Sequence, residues 1–229
     1  MVAGLATVRL CSRCLCAVAL AGVALRVDAA GGHHAVDDAS ILEPGQCLLE
    51  TWADHFSRDT GTVLHAGGAC RIRGVELGIN VDRASLSDQT VVLAGTQIKW
   101  AQPLSDTVAA GLVVAATWRN RPSGYAGSTV VIPLTWQAGD AWLVHVNLGR
   151  DFMRGEADEP RAGVAVEWMP ASSWSFVVER FRELATNHWR AGARFEPTPG
   201  VTLDLSHARG INEAAPSRWT AGVTWTFSR

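Results

Sequence analysis

The chain has one Lys (Lys99), one Tyr (Tyr125) and no long apolar run in its 229 residues. Its longest apolar stretch, Cys14 to Leu25, has twelve residues, well short of the roughly 20 that a membrane-spanning helix needs. A helical membrane protein is therefore excluded. Charge is also scarce, with 18% charged residues and a formal net charge of −2, so the chain lacks the positive field of a nucleic-acid binder. With 48% hydrophobic residues it also lacks the low apolar content and high net charge of a disordered chain. Mean hydropathy is near zero, at +0.09.

Catalytic motifs are missing too. Neither Gly-x-Ser-x-Gly nor His-Glu-x-x-His occurs, the spacings that mark a serine-hydrolase elbow and a zinc protease. A lipid hydrolase would need a nucleophile beside a His. Ser206 and His207, adjacent on a strand, point to opposite faces. The expectation is a non-enzyme without a cofactor.

What is present begins with the N-terminus. Arg9 and Arg13 precede the apolar run, and Val27-Asp28-Ala29-Ala30 follow it, the three-part layout of a secretory signal peptide. Residues 1–30 are read as that signal, cleaved near Ala29 or Ala30. Loss of Arg9, Arg13, Arg26 and Asp28 leaves 17 positive and 21 negative side chains, a net −4. Cys11, Cys14 and Cys16 leave as well, so their spacing is not read as a metal or redox motif. Cys47 and Cys70 remain, and an even pair in an exported chain predicts a disulfide. Residues 31–45 are read as a flexible segment. Within it His33, His34, Asp37 and Asp38 are a weak candidate for binding Zn or Cu, because imidazole and carboxylate groups suit those ions.

From Gln46 onward the pattern has period 2, the strand signal. Val75, Leu77, Ile79 and Val81 alternate with Glu76, Gly78, Asn80 and Asp82. Trp142, Val144, Val146 and Leu148 alternate with Leu143, His145, Asn147 and Gly149. The count gives about twelve strands, near 46–56, 62–72, 75–84, 89–101, 106–118, 125–137, 141–151, 161–169, 173–182, 188–196, 201–209 and 218–227. Strands of this length and even number suit an antiparallel up-and-down transmembrane barrel over 46–229. Every second connection is short and rich in turn formers, such as Arg73-Gly74 and Pro197-Thr198-Pro199-Gly200. Several of the others, notably Phe152 to Pro160 and Gly210 to Ser217, are longer. Short turns at the periplasmic rim and longer loops outside are the barrel's usual asymmetry.

Imposing that up-down direction sorts the aromatics. Trp100, Trp136, Trp142, Trp168, Trp174, Phe195 and Phe227 fall in the apolar phase at the short-turn end, and Trp118, Trp189 and Trp219 at the other. Two interfacial girdles have this pattern. A soluble β-sandwich or lipocalin-like barrel would not require it. Arg180 and His207 interrupt the apolar phase near the long-loop end, where such side chains reach the interface. Opposed positions in an antiparallel hairpin have a constant residue-number sum, 117 for Cys47 with Cys70. The pair then faces across the first hairpin, whose turn lies between Arg58 and Asp59.

The other phase points inward. It carries Glu50, Trp52, Asp54, His65, Arg71, Glu76, Lys99, His145, Asn147, Glu167, Glu179, Arg190, Arg194 and Asp204. Buried charges must pair, so Glu–Arg contacts are predicted across strands 8 to 11. Such a lumen is either a salt-bridged filling or a polar path for a small solute.

The segments Ala162 to Trp168, Trp174 to Arg180, Leu203 to Gly210 and Gly222 to Phe227 together resemble a broad family of proteobacterial outer-membrane barrels. The resemblance covers roughly residues 140–229 and is nearest to the group linked to the meta-cleavage pathway of phenol degradation, regarded as transporters. It implies a Gram-negative outer-membrane location, outer-membrane lipid and the barrel assembly machinery as partners, and porin-like passage of a small solute. The assembly machinery reads a C-terminal aromatic residue; here Ser228-Arg229 follow Phe227. The expected function is a passive channel. Its alternatives are a closed structural barrel, a surface receptor acting through the loops, and a soluble periplasmic binding barrel.

Overall fold

A computed structural model describes residues 33–57, 61–86, 89–183, 185–211 and 216–229. The expected signal peptide and the expected Arg58/Asp59 turn lie outside the described residues. Twelve strands form: β1 (Gln46–Phe56), β2 (Thr62–Ile72), β3 (Val75–Leu86), β4 (Gln89–Pro103), β5 (Val108–Asn120), β6 (Ser123–Gly139), β7 (Trp142–Met153), β8 (Glu159–Ala171), β9 (Trp174–Glu183), β10 (Thr186–Thr198), β11 (Val201–Gly210) and β12 (Arg218–Ser228). Each pairs antiparallel with its sequence neighbours, and β1 pairs with β12. Closure removes both sheet edges, which in lipid would expose unpaired backbone groups.

The alternation that builds the strands also sorts their faces. Outward side chains are apolar and bare, as with Ile79, 69% exposed, and Leu148, 63% exposed. Inward positions of the same strands hold buried Glu76 and buried Asn147. A water-soluble barrel has the opposite polarity, since it must bury its apolar phase. Four register shifts lie near strand ends, at Thr117/Trp118, Gln137/Gly139, Trp168/Ala171 and Phe195/Thr198. Such bulges are frequent at barrel rims.

The Cys47–Cys70 disulfide forms, with the two residues directly opposed in the β1–β2 ladder. Five connections at one rim span two to four residues, and three of the six at the other are equally tight. The connections 57–61, 154–158 and 211–217 are longer, at five, five and seven residues. Gly200, at φ +82°, turns β10 into β11; a Cβ there would meet the Thr226 carbonyl oxygen at 2.5 Å, so no other residue fits.

Residues 33–45 are not a flexible tail. They run into the barrel, where Val36, Asp38, Ala39 and Leu42 are buried. Space left by small inward residues is what admits them. Val36 packs on Ala165, Val177 and Phe181, and a Cβ on Gly163 would lie 2.5 Å from Val36 Cγ2.

Candidate functional site

An extended segment without strand partners must satisfy its backbone groups some other way. Here inward side chains of the wall do so in sequence. Near the short-turn rim, Leu42 N–H donates to Glu76 Oε2 at 3.0 Å, and Arg71 Nη1 donates to the Leu42 carbonyl at 2.9 Å. Ala39 N–H donates to Thr135 Oγ1 at 2.8 Å. With its amide oriented to satisfy both partners, Asn147 donates to the Asp37 carbonyl at 2.9 Å and accepts from Asp37 N–H at 2.7 Å. Deeper still, Glu179 accepts from Ala35 N–H at 3.2 Å and Val36 N–H at 3.0 Å. Arg190 Nη1 donates to the His33 carbonyl. The segment thus climbs from the short-turn rim to the middle of β11, where His33 Nε2 lies 2.6 Å from Ser206 Oγ.

One ion pair ties segment and wall together. Lys99 Nζ donates to Asp38 Oδ1 at 2.7 Å, both side chains being almost fully buried. Asp38 also accepts from Ser40 Oγ at 2.6 Å. Burial raises the pKa of Asp37, against the pull of Lys99. Burial, His34 and the nearby guanidinium groups of Arg190 and Arg194 hold His33 down to about 2. Burial and Arg194 hold His34 down to about 4, against Glu179. Both imidazoles are neutral in place. His33 beside Ser206 is thus a poor general base, which needs a pKa near the working pH. His207 sits on the outer face against Trp219, with ring centroids 4.7 Å apart.

Across β8 to β11, Arg190 Nη1 meets Glu179 Oε1 at 3.0 Å, and Arg194 lies 3.3 Å from Glu167 and 3.2 Å from Asp204. His145 joins this group, 3.4 Å from Glu167 Oε2 and 2.9 Å from Thr135 Oγ1. Glu50 and Asp54 belong to the opposite wall. There Trp52 lies flat on His65 at 3.4 Å, and His65 meets Asp82 at 2.6 Å and Glu50 at 3.7 Å. Glu50, Asp54, Glu76, Lys99 and Arg190 help line a cavity of about 350 Å³ beside the segment.

A second group was missed by the sequence reading. Arg161 pairs with Asp151 at 3.0 Å and Glu183 at 3.3 Å, while Arg218 lies 3.7 Å from Glu183 and 3.9 Å from Asp54. Carrying the inward phase of His145 and Asn147 on to the strand end would have reached Asp151. Nothing local marks where 33–45 goes, although Val36, Ala39 and Leu42 recur every third residue.

The sequence-predicted aromatics lie outward. Trp100, Trp136, Trp142, Trp168 and Trp174 are exposed towards the short-turn rim, and Trp118, Trp189 and Trp219 towards the other. Trp142 stacks on Trp168 at 5.8 Å, and Phe227 packs on Trp225 at 4.8 Å. Arg180 lies over Trp189, 5.8 Å from the ring centroid. Trp52 alone of the ten Trp lines the lumen cavity.

The family model described as Uncharacterised conserved protein UCP029691 matches residues 17–227. The chain belongs to that family. No curated protein matches it in sequence. Among solved structures it is similar to the KdgM porin at 9% identity and a TM-score of 0.66, covering 79% of this chain and 99% of that one. It is similar to the NanC porin at 10% identity and TM-score 0.59, with 79% and 99% covered. An outer-membrane channel from Pseudomonas putida F1 aligns at 14% identity and TM-score 0.55, with 83% and 98% covered. At these identities the likeness is one of fold: the chain shares the architecture of outer-membrane barrels.

Proposed function

We propose that this protein is an outer-membrane channel for a small solute, not an enzyme, and that residues 33–45 are its internal plug. The observation that carries the reading is the inverted polarity of a closed barrel, apolar outside and charge-paired inside. Outward Trp at both rims supports interfacial anchoring in outer-membrane lipid. An irregular segment at membrane depth is tolerated only where protein buries it, which suits a plug seated on wall side chains.

The remaining cavity presents both signs, Glu50, Asp54, Glu76 and Glu183 against Lys99, Arg161, Arg190 and Arg218. That composition suits a small polar solute better than a long acidic chain such as the oligogalacturonate present with KdgM. For a solute with an aromatic ring, Trp52 offers the ring to stack on. The competing reading is a closed structural barrel, favoured by the same inserted segment.

Planar-bilayer recording of the mature chain separates them. The channel reading expects small steps that grow when residues 33–42 are deleted and change when Arg190 or Arg194 becomes Ala. Silence from both the full and the deleted chain would leave the closed barrel.

A further inference from the structure

The deepest part of the plug brings together groups whose bonding is incomplete. One ligand atom each of His33, His34 and Asp204 lie within 4.8 Å of one another. His33 is 7% exposed and the His34 side chain 3%; His33 Nδ1 has no hydrogen-bond partner, and His34 Nδ1 lies 3.7 Å from Glu179 Oε1, beyond hydrogen-bond distance. A buried imidazole nitrogen without a partner is costly, and the two rings stack at 4.7 Å rather than turn away.

We propose that His33 and His34 of the plug and Asp204 of β11 bind a divalent transition-metal ion. Two imidazoles and a carboxylate suit Zn, Cu or Ni, in contrast to the all-oxygen sets that Mg and Ca prefer. His33 has the support that metal-bound histidines commonly show, its far nitrogen held by another group. That group is Ser206, 2.6 Å from Nε2; with the ring proton on Nε2, Nδ1 keeps a lone pair for the ion. Asp204 gives one oxygen, Oδ1, to Arg194. A tetrahedral ion with bonds of about 2.0–2.2 Å holds its ligands about 3.4 Å apart, so the three must draw in by roughly an ångström. His33 and His34 lie on a segment outside the sheet, where that movement disturbs no strand pairing.

The guanidinium groups around the site are themselves paired with carboxylates. Glu167, Glu179 and Asp204 stand against Arg190 and Arg194, while Arg218, further off, has Glu183 and Asp54 as partners. Occupancy would bridge plug and wall, coupling metal to the position of the plug. The site itself does not depend on the channel reading.

The test is calorimetry on tag-free mature protein in detergent, stripped with a chelator and titrated with Zn²⁺, Cu²⁺ or Ni²⁺ alone. Expected is one ion per chain, with affinity falling about tenfold or more in His33→Gln, His34→Gln and Asp204→Asn, each variant still folded by heat-modifiable migration. Asp204→Asn also loosens Arg194. Cu²⁺ electron paramagnetic resonance of the wild type therefore provides a separate check, with nitrogen couplings from two imidazoles expected. No stoichiometric uptake would overturn the proposal. So would uptake that survives Asp204→Asn and His34→Gln unchanged, because the ion would then bind without the wall and without His34.

Discussion

Lys99, the only lysine in the chain, donates to Asp38 Oδ1 at 2.7 Å inside the barrel. β4 supplies one partner and the plug the other, so this pair locks a segment rather than a strand. Replacing Lys99 by Met would remove the cation that balances the buried Asp38 carboxylate, a loss of about 3–5 kcal/mol for a broken buried pair. The plug should undock while the barrel stays closed. A maleimide should then label an Ala35→Cys reporter many times faster in Lys99→Met than in its parent, and Asp38→Asn in the same chain should slow it again.

Gly163 gives Val36 its place. Gly163→Ala would put a methyl group 2.5 Å from Val36 Cγ2, too close for either to stay. Overpacking of this kind costs about 1–3 kcal/mol, and here the plug can yield more easily than the hydrogen-bonded wall. Labelling of the same reporter should rise, and Val36→Ala should restore protection. Unchanged labelling with a lowered barrel melting temperature would show the wall yielding instead.

Acid should loosen the plug. The docked His33 and His34 have pKa values below the ordinary imidazole value of 6.5, at about 2 and about 4. The undocked segment therefore binds more protons. As pH falls below 6.5, docking loses about 1.4 kcal/mol per unit for each imidazole, down to about 4 for His34 and further for His33. Asp37, raised by burial, works the other way, one carboxyl against two imidazoles. Reporter labelling in metal-free buffer should increase from pH 7 to pH 5, and this dependence should flatten when both histidines are Gln.

The disulfide closes a loop between residues 23 apart in sequence, and such a crosslink contributes about 3 kcal/mol by restricting the unfolded chain. Double replacement of Cys47 and Cys70 by Ala should lower the urea midpoint of the barrel without changing conductance. An unchanged midpoint would mean that lipid and strand pairing already hold this hairpin.

In bilayers, Trp fluorescence should be quenched most by lipids brominated near the headgroups, since Trp at both rims dominate the emission. A Trp52→Phe variant should keep almost all of that quenching, because Trp52 faces the lumen.

Much of this was legible in the chain itself. Period 2 places Ile79 outside and Glu76 inside with no knowledge of neighbours, since alternation is a property of one extended strand. The constant residue sum of a hairpin pairs Cys47 with Cys70. Strand ends were less exact: β8 begins at Glu159 and β5 at Val108, each two residues from its expected start. Apolar patterning fades at the rims, where the wall meets water.

Tertiary structure alone decided what the lumen holds. Which inward charges meet depends on barrel closure and strand tilt, so Arg218 reaches Glu183 across the lumen rather than along one hairpin. Residues 33–45 carry no strand pattern, because their polar partners are side chains scattered over eight strands. Asp38, His33 and His34 read as a loose cluster in the chain. Their neighbours Lys99, Ser206 and Asp204 lie 61 to 173 residues away, and only folding brings them within reach.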